Sequence, residues 1–231
     1  MSFDAIAPHY RWLEFVTAGS LLQWCRTAFL TEFSEAKHIL LLGEGRGRFL
    51  VELLKLNPSA RITCLDASAS MLSFTRDNLH SRGLMTDRVI LLHASIPDLS
   101  GLQQPESGAP LFDAVASHFF LDCFGSDQLE KVIAWVASRT TECARWLVSD
   151  FCVPSCGWQR RRARLILAGL YLFFRIATRL PATGLTSPDK LLSQSGFRLK
   201  ARKLFNHGLL HSDVWVKQLS SGSTTPRALD R

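Results

Sequence analysis

The chain has 231 residues, of which 47% are hydrophobic and 20% are charged, and its net charge is +7. These proportions are typical of a soluble globular protein. The N-terminus has no basic segment followed by an apolar one, and the longest apolar run, residues 165–174, is too short for a membrane span. The six cysteines include no Cys-x-x-Cys pair, which argues against a structural zinc site and a secreted disulfide framework. We therefore expect a cytoplasmic protein without a metal ion.

The charge is distributed unevenly along the chain. Residues 1–150 carry a net charge of −4, whereas residues 151–231 carry +11. An anionic partner is therefore expected to contact the C-terminal third.

Short apolar segments alternate with amphipathic ones, a pattern that predicts a parallel sheet with helices on both faces. The predicted elements in chain order are a helix at 17–33, a strand at 38–42, a turn at 43–47, a helix at 48–56, a strand at 61–65, a helix at 70–83, strands at 89–93 and 112–118, a helix at 127–139, a strand at 144–151, helices at 158–180 and 187–195, and strands at 198–205 and 214–219. They predict an α/β fold with a Rossmann-like, seven-stranded, mostly parallel sheet.

A single domain is expected over residues 1–219. Within it, residues 1–35 would form an N-terminal helical cap, and residues 152–186 a helical lid inserted after the fifth strand. Residues 220–231 are rich in Ser, Thr and Pro, so we expect a flexible tail.

The first predicted strand runs into Gly43, Gly45 and Gly47 and then into a helix. Glycines permit positive φ angles and a close approach of the backbone to a ligand, and the helix N-terminus offers free N–H groups. About twenty residues further on, Asp66 ends the second predicted strand, where a carboxylate can accept hydrogen bonds from the ribose hydroxyls of a nucleoside. This pattern predicts a nucleoside cofactor without choosing which one.

Three segments resemble the motif series of the class I S-adenosylmethionine-dependent methyltransferases: the glycine turn, the run from Asp66 to Leu72, and the run from Phe112 to His118. The segments 3–14 and 188–197 are similar to the quinone-biosynthesis methyltransferases and their small-molecule relatives. The third glycine also comes one residue too early for the dehydrogenase pattern Gly-x-Gly-x-x-Gly. The resemblance therefore implies S-adenosylmethionine as the cofactor.

For the methionine end of the cofactor, the resemblance implies that Gly43, Gly45 and Gly47 line it, that His118 lies near it, and that Tyr10 closes over it. For the nucleoside end, it implies that residues of the second and third strands make the contacts. These residues are Asp66 at the ribose, Ala67 and Met71 beside the adenine, and Ala94 and Ser95 at the adenine edge.

The chain departs from the family pattern at two positions near the glycine turn. Leu41 stands where the family usually has an acid, and Glu44 stands between the glycines, where a small residue is common. One hypothesis is that Glu44 takes over part of the missing acid's role near the methionine ammonium. The alternative is that Glu44 is an exposed side chain that stabilises the start of the following helix.

Methyl transfer needs a general base only if the acceptor must lose a proton. The candidates are His118 and Asp122, at the carboxyl end of the fourth predicted strand, where α/β sheets place their ligands. Both residues could instead serve structure or cofactor positioning.

Three function classes remain open. The first is a methyltransferase for a small apolar or aromatic acceptor. In this class the segment 158–180, which is cationic at its start and then apolar, would act as a lid and contact a membrane surface, or it would only cover the sheet. The second is a nucleic-acid methyltransferase, suggested by the basic last third but lacking the Pro-Pro-aromatic motif that base methylases use. The third is a non-catalytic protein that binds the cofactor.

Overall fold

A computed structural model describes residues 19–94, 111–178 and 186–219. Seven strands form one sheet in the order β3-β2-β1-β4-β5-β7-β6. The strands are β1 (His38–Leu42), β2 (Arg61–Asp66), β3 (Val89–His93), β4 (Phe112–His118), β5 (Thr140–Phe151), β6 (Phe197–Phe205) and β7 (Leu210–Lys217). Only β7 runs antiparallel to its neighbours, which confirms the predicted Rossmann-like, mostly parallel sheet.

Helices connect the strands and cover the sheet. They are α1 (Gly19–Thr27), α2 (Arg48–Leu56), α3 (Ala69–His80), α4 (Ser126–Ser138), α5 (Gly157–Thr178) and α6 (Asp189–Gln194). Of the predicted cap, lid and tail, residues 1–18, 179–185 and 220–231 lie outside the described residues.

The central strand β1 is buried on both faces, as its uninterrupted apolar sequence predicts. Ile39 and Leu41 pack with Phe49 of α2 in one core cluster. Leu40 and Leu42 point to the other face and pack with the residues of α4. Because β1 is packed on both faces, the glycine turn that follows it has a fixed position relative to the sheet.

Several boundaries differ from those predicted. The first helix ends at Thr27 and is followed by a separate 3-10 turn at Leu30–Phe33. Helix α3 ends at His80 because the chain turns there toward Gly83, whose φ is +64°. β5 begins at Thr140, four residues earlier than predicted.

The last strand also begins four residues early. The hairpin between β6 and β7 turns within Asn206–Gly208, all three of which have positive φ. A turn this short leaves Leu210 free to pair with Phe151 of β5.

The sheet order creates a switch point between β1 and β4. From β1 the chain moves outward through β2 and β3, and it then returns to β4 on the other side of β1. In open α/β sheets, ligands bind at the carboxyl ends of the strands at such a point. The glycine turn after β1 and the segment after β4 meet there.

Candidate active site

The glycine turn has the conformation that its sequence predicts. Gly43, Gly45 and Gly47 have φ angles of 62°, 65° and 75°, which L side chains rarely adopt. A Cβ at Gly43 would collide with the ring of Phe120, whereas a Cβ at Gly45 would face open space. The turn is therefore packed on one side by the segment after β4 and is open at Gly45.

Glu44 holds the start of α2. Its Oε1 accepts hydrogen bonds from the backbone N–H groups of Phe49 (2.8 Å) and Leu50 (3.0 Å), which are among the donors that a helix N-terminus leaves without partners. Burial raises the pKa of Glu44 to about 7, although these two hydrogen bonds oppose the shift. Glu44 thus stabilises the helix start as one hypothesis expects, but it is half-buried and lines the cleft.

Asp66 joins the glycine turn to the end of β2. Its Oδ1 accepts a hydrogen bond from Ser68 N–H (2.9 Å) and its Oδ2 accepts one from Gly45 N–H (3.2 Å). Burial raises its pKa, and the hydrogen bonds to the carboxylate partly offset this. The carboxylate is thus fixed beside the open side of Gly45.

The neighbouring candidates follow the same strand ends. Met71 is buried in the first turn of α3, and Ala94 N–H donates to the carbonyl oxygen of Asp66 (3.1 Å). The exposed His93 places its Nε2 3.1 Å from the carbonyl oxygen of Ala67. Tyr10 and Ser95 lie outside the described residues.

A cleft at the switch point brings together several predicted residues. Its lining consists of Arg26, Gly43, Glu44, Gly45, Arg46, Arg48 and His118. The cleft is therefore bounded by the glycine turn, by the last residue of β4 and by the last turn of α1.

His118 is a buried, neutral imidazole. Its ring packs against Phe49 at a centroid distance of 4.6 Å, and only 7% of the residue is exposed. Burial, assisted by the positive charge of Arg26, lowers its pKa to about 3. Within the described part of the chain, neither ring nitrogen has a hydrogen-bond partner. Such a group can donate or accept a hydrogen bond to a ligand but is a weak base at neutral pH.

Arg26 is a cleft residue that the sequence interpretation missed. It lies in the last turn of α1, and its guanidinium stands 5.2 Å from the centroid of the Phe119 ring. Phe119 has a φ of 55°, and this left-handed conformation directs the chain after β4 toward the glycine turn. A basic residue in a helix before β1 is a weak sequence signal for a cleft residue, because the direction of its side chain depends on how that helix packs.

Asp122 contacts a second carboxyl group that was not predicted. Its N–H donates to Oδ2 of Asp150 (3.2 Å). Burial raises the pKa of both residues, and the charge of Asp122 raises that of Asp150 further. Asp150 is buried, whereas Asp122 is half-buried.

An imidazole and an ion pair continue this polar cluster across the sheet. His211 lies opposite Asp150 in the pairing of β5 with β7, and its Nδ1 is 3.0 Å from Oδ2 of Asp213. Asp213 is fully buried and is bridged by Arg202, which also binds Asp189 of α6. Burial would raise the pKa of Asp213, but the hydrogen bonds from Arg202 and His211 outweigh it and hold the pKa below its ordinary value. No group of three potential metal ligands comes together among the described residues.

The sequence matches one protein family. Residues 39–142, which include the glycine turn, Asp66 and the segment after β4, match the family described as "Methyltransferase domain". No curated protein matches the chain by sequence.

Solved structures with a similar fold include several enzymes. A mitomycin 7-O-methyltransferase gives a TM-score of 0.65 at 21% identity, over 94% of this chain and 61% of that one. A magnesium protoporphyrin IX methyltransferase from Synechocystis PCC 6803, with bound SAH, gives 0.61 at 14% identity, over 85% of this chain and 83% of that one. An O-methyltransferase from neocarzinostatin biosynthesis, in complex with S-adenosylmethionine and 2-hydroxy-5-methyl naphthoic acid, gives 0.62 at 17% identity, over 94% and 60%. This chain thus spans about three fifths of the length of two of these enzymes.

Proposed function

We propose that this chain is a class I S-adenosylmethionine-dependent methyltransferase that methylates a small apolar or aromatic acceptor, as its match to a methyltransferase domain over residues 39–142 supports. The observation that carries the proposal is the cleft at the switch point of the sheet, which the glycine turn and His118 line and beside which Asp66 accepts a hydrogen bond from Gly45 N–H. The enzyme would work in the cytoplasm, where its six free cysteines would remain reduced.

The side chains present fit the parts of the cofactor. The open side of Gly45 leaves room for the backbone to approach the methionine portion, and Asp66 stands beside it for the ribose hydroxyls. His118 offers two buried ring nitrogens to a polar group of the ligand. Arg26, in the same cleft, would pair with the methionine carboxylate.

When bound, S-adenosylmethionine supplies an electrophilic methyl carbon on a positively charged sulfur. The chain then needs mainly to hold the acceptor in line and to keep water out. The alignment would come from the strand ends of β1 and β4, whose side chains are fixed by burial in both core clusters.

Asp122 is the better candidate for a general base. A carboxylate with a raised pKa accepts a proton more readily than an ordinary one, and the backbone of Asp122 is held by its N–H bond to the Asp150 carboxyl group. His118, with its pKa lowered to about 3, would serve to position the cofactor. In this proposal Asp122 takes the proton of an acceptor hydroxyl.

Aromatic side chains around Asp122 support an apolar acceptor. Phe120 and Phe124 pack edge to face at 5.0 Å, and Phe119 packs against Phe151 at 5.4 Å. A ring-bearing acceptor could contact such surfaces while its hydroxyl reaches the carboxylate. The structural neighbour that binds a naphthoic acid supports the same class of acceptor.

Calorimetric titration of S-adenosylmethionine and S-adenosylhomocysteine is the direct test. We expect micromolar binding to the wild type, a loss of at least tenfold in Asp66→Asn, and unchanged binding in Asp77→Asn, which removes an exposed acid from α3. Absence of binding to the wild type would refute the cofactor assignment.

The acceptor class and the role of Asp122 need a turnover assay. Hydroxylated aromatic compounds would be screened for formation of S-adenosylhomocysteine. Asp122→Asn should then bind the cofactor normally and turn over at least a hundredfold more slowly on a hydroxyl acceptor. Normal turnover by this variant would remove Asp122 from the mechanism.

A further inference from the structure

Helix α5 carries large apolar side chains on its outer surface. Trp158 is 57% exposed and Leu165 is 76% exposed, and the two lie seven residues apart on one face of the helix. Arg161 is exposed one helical turn from both of them, and Arg160 and Arg164 are exposed further round the same side of the helix. We call these five residues the α5 surface. Together they form an apolar and cationic face that the described part of the chain leaves exposed.

The orientation of this face is set by the opposite side of the helix. Ala163 and Leu167 are buried, and they pack in a core cluster with Leu22 of α1 and with Leu209 and Leu210. Because these contacts take up the inner face of α5, Trp158 and Leu165 have no room to turn inward.

The start of α5 is also anchored to the β6–β7 hairpin. The ring of Trp158 packs against His207 at a centroid distance of 5.3 Å, and Arg162 donates to the carbonyl oxygen and to Oδ1 of Asn206 (3.3 and 2.9 Å). The α5 surface is thus presented by a fixed helix, so little conformational freedom would be lost when it meets a partner.

The described residues do not neutralise the charge of this surface. The sequence of α5 contains no acidic residue. Among the described ion pairs, none involves Arg160, Arg161 or Arg164. A partner that is both anionic and apolar just below its surface would complement the α5 surface best.

We propose that the α5 surface binds an anionic phospholipid membrane, with the helix lying in the plane of the interface. The arginines would contact the lipid phosphates, and Trp158 and Leu165 would enter the boundary between headgroups and acyl chains. None of the described helices is long and apolar enough to cross the bilayer. A nucleic acid would satisfy the arginines but would offer the exposed Leu165 no apolar region to enter.

This docking goes beyond methyl transfer and does not depend on it. It would hold the enzyme at the surface from which an apolar acceptor is most easily taken. Because lipid binding can be measured without cofactor or acceptor, its failure would leave the proposed methyltransferase function untouched.

The test is co-sedimentation of the purified full chain with vesicles of phosphatidylcholine alone or with 30 mol% phosphatidylglycerol, at about 0.1 M salt. We expect binding only to the anionic vesicles. The triple variant Arg160→Gln, Arg161→Gln, Arg164→Gln should weaken it on the order of 100-fold, because each basic residue near such a surface contributes about 1 kcal/mol. The control Arg61→Gln, Arg76→Gln, Arg88→Gln removes the same charge from exposed positions on β2, on α3 and just before β3. It should retain most of the binding.

A second pair of variants tests the apolar part. Leu165→Gln should weaken binding about tenfold, whereas Ile90→Gln, at an exposed position on the edge strand β3, should not. Far-ultraviolet circular dichroism and urea unfolding of each variant would verify that it is folded.

Three outcomes would overturn the proposal. They are equal losses in the two arginine triples, an unchanged affinity in Leu165→Gln, and failure to bind anionic vesicles at all. Tight, salt-dependent binding of single-stranded RNA that only the α5 triple abolishes, with no vesicle binding, would assign the surface to a nucleic acid instead.

Discussion

Gly45 and Gly83 have nearly the same backbone conformation but very different surroundings. Their φ angles are 65° and 64°, and at both positions a Cβ would meet no atom within 4 Å. Gly83 lies in the turn after α3, far along the chain from the cleft, whereas Gly45 lines the cleft and donates to Asp66. Alanine substitutions at these two positions therefore distinguish the effect of backbone strain on stability from the effect of a side chain in the cleft on ligand affinity.

We expect Gly45→Ala and Gly83→Ala each to lower the free energy of unfolding by about 1 kcal/mol, because a left-handed residue with a Cβ is strained. Only Gly45→Ala should also lower the affinity for S-adenosylmethionine, by at least tenfold. Urea unfolding and calorimetric titration would be compared for both variants. Equal cofactor affinities would show that the open side of Gly45 does not face the cofactor.

The carboxyl group of Glu44 makes stability depend on pH. Its pKa is about 7 in the folded chain, above its ordinary value of 4.5, so folding favours the protonated form. Its contribution is fully present below about pH 4.5 and is lost as the pH rises through 7, by about 3 kcal/mol in total.

Glu44→Gln cannot titrate, so the stability of the wild type relative to this variant should fall between pH 4.5 and 8. Urea unfolding at several pH values would measure the difference, with Glu130→Gln on the exposed side of α4 as the control. A difference that does not change with pH would mean that the pKa of Glu44 is the same in the folded and the unfolded chain.

Sequence patterns predicted those site residues that are close together along the chain. Gly43, Gly45, Gly47 and Asp66 follow directly from two strand ends and their spacing. Arg26, Asp150 and His211 could not be found in this way, because their positions depend on how α1 packs and on β7 pairing with β5. Side chains brought together by strand order leave no local signal.

At the scale of elements, three strands have the predicted bounds: β1, β3 and β4. Each contains a short apolar run followed by a turn, whether the strand is buried, as β1 is, or lies at the sheet edge, as β3 does. The start of β7 was predicted too late because Asn206 and His207 adopt left-handed conformations that tighten the hairpin. Asn206 and Gly208 are common turn residues, but they do not specify how tight the hairpin is or where the next strand begins.

Arg202 joins β6, β7 and α6 through two carboxylates. Removing it leaves Asp213, which is fully buried, with His211 alone. We expect Arg202→Met to lower the free energy of unfolding by about 2 kcal/mol, less than for a fully buried pair because Arg202 is partly exposed.

A matched control on the same strand as Arg202 is Lys200→Met. This change breaks an exposed ion pair with Glu32 of the 3-10 turn and should lower the free energy of unfolding by less than about 1 kcal/mol. The double variant Arg202→Met, Asp213→Asn should recover part of the loss, because no charge then remains buried. A larger effect in Lys200→Met, measured by urea unfolding, would contradict this account.

Considered as a whole, the molecule builds its site from two halves of the chain. Gly43 and Asp66 belong to the half that contains β1, β2 and β3, whereas His118 ends β4 and Phe120 and Asp122 follow it. The halves are joined where Ile39 of β1 pairs with Ala114 of β4, and where Asp113 accepts hydrogen bonds from the N–H groups of Lys37 and His38.

This arrangement has a consequence for the order of events during folding. The pairing of β1 with β4 and of β5 with β7 closes long loops, which slows folding, whereas β1, β2 and β3 are near neighbours in sequence. After dilution from denaturant, we expect far-ultraviolet circular dichroism to recover before the ability to bind S-adenosylmethionine, and binding to recover with the slowest phase. Recovery of binding in the earliest phase would mean that the first half alone suffices. On this account S-adenosylmethionine binds only after the fold is complete and does not guide its assembly.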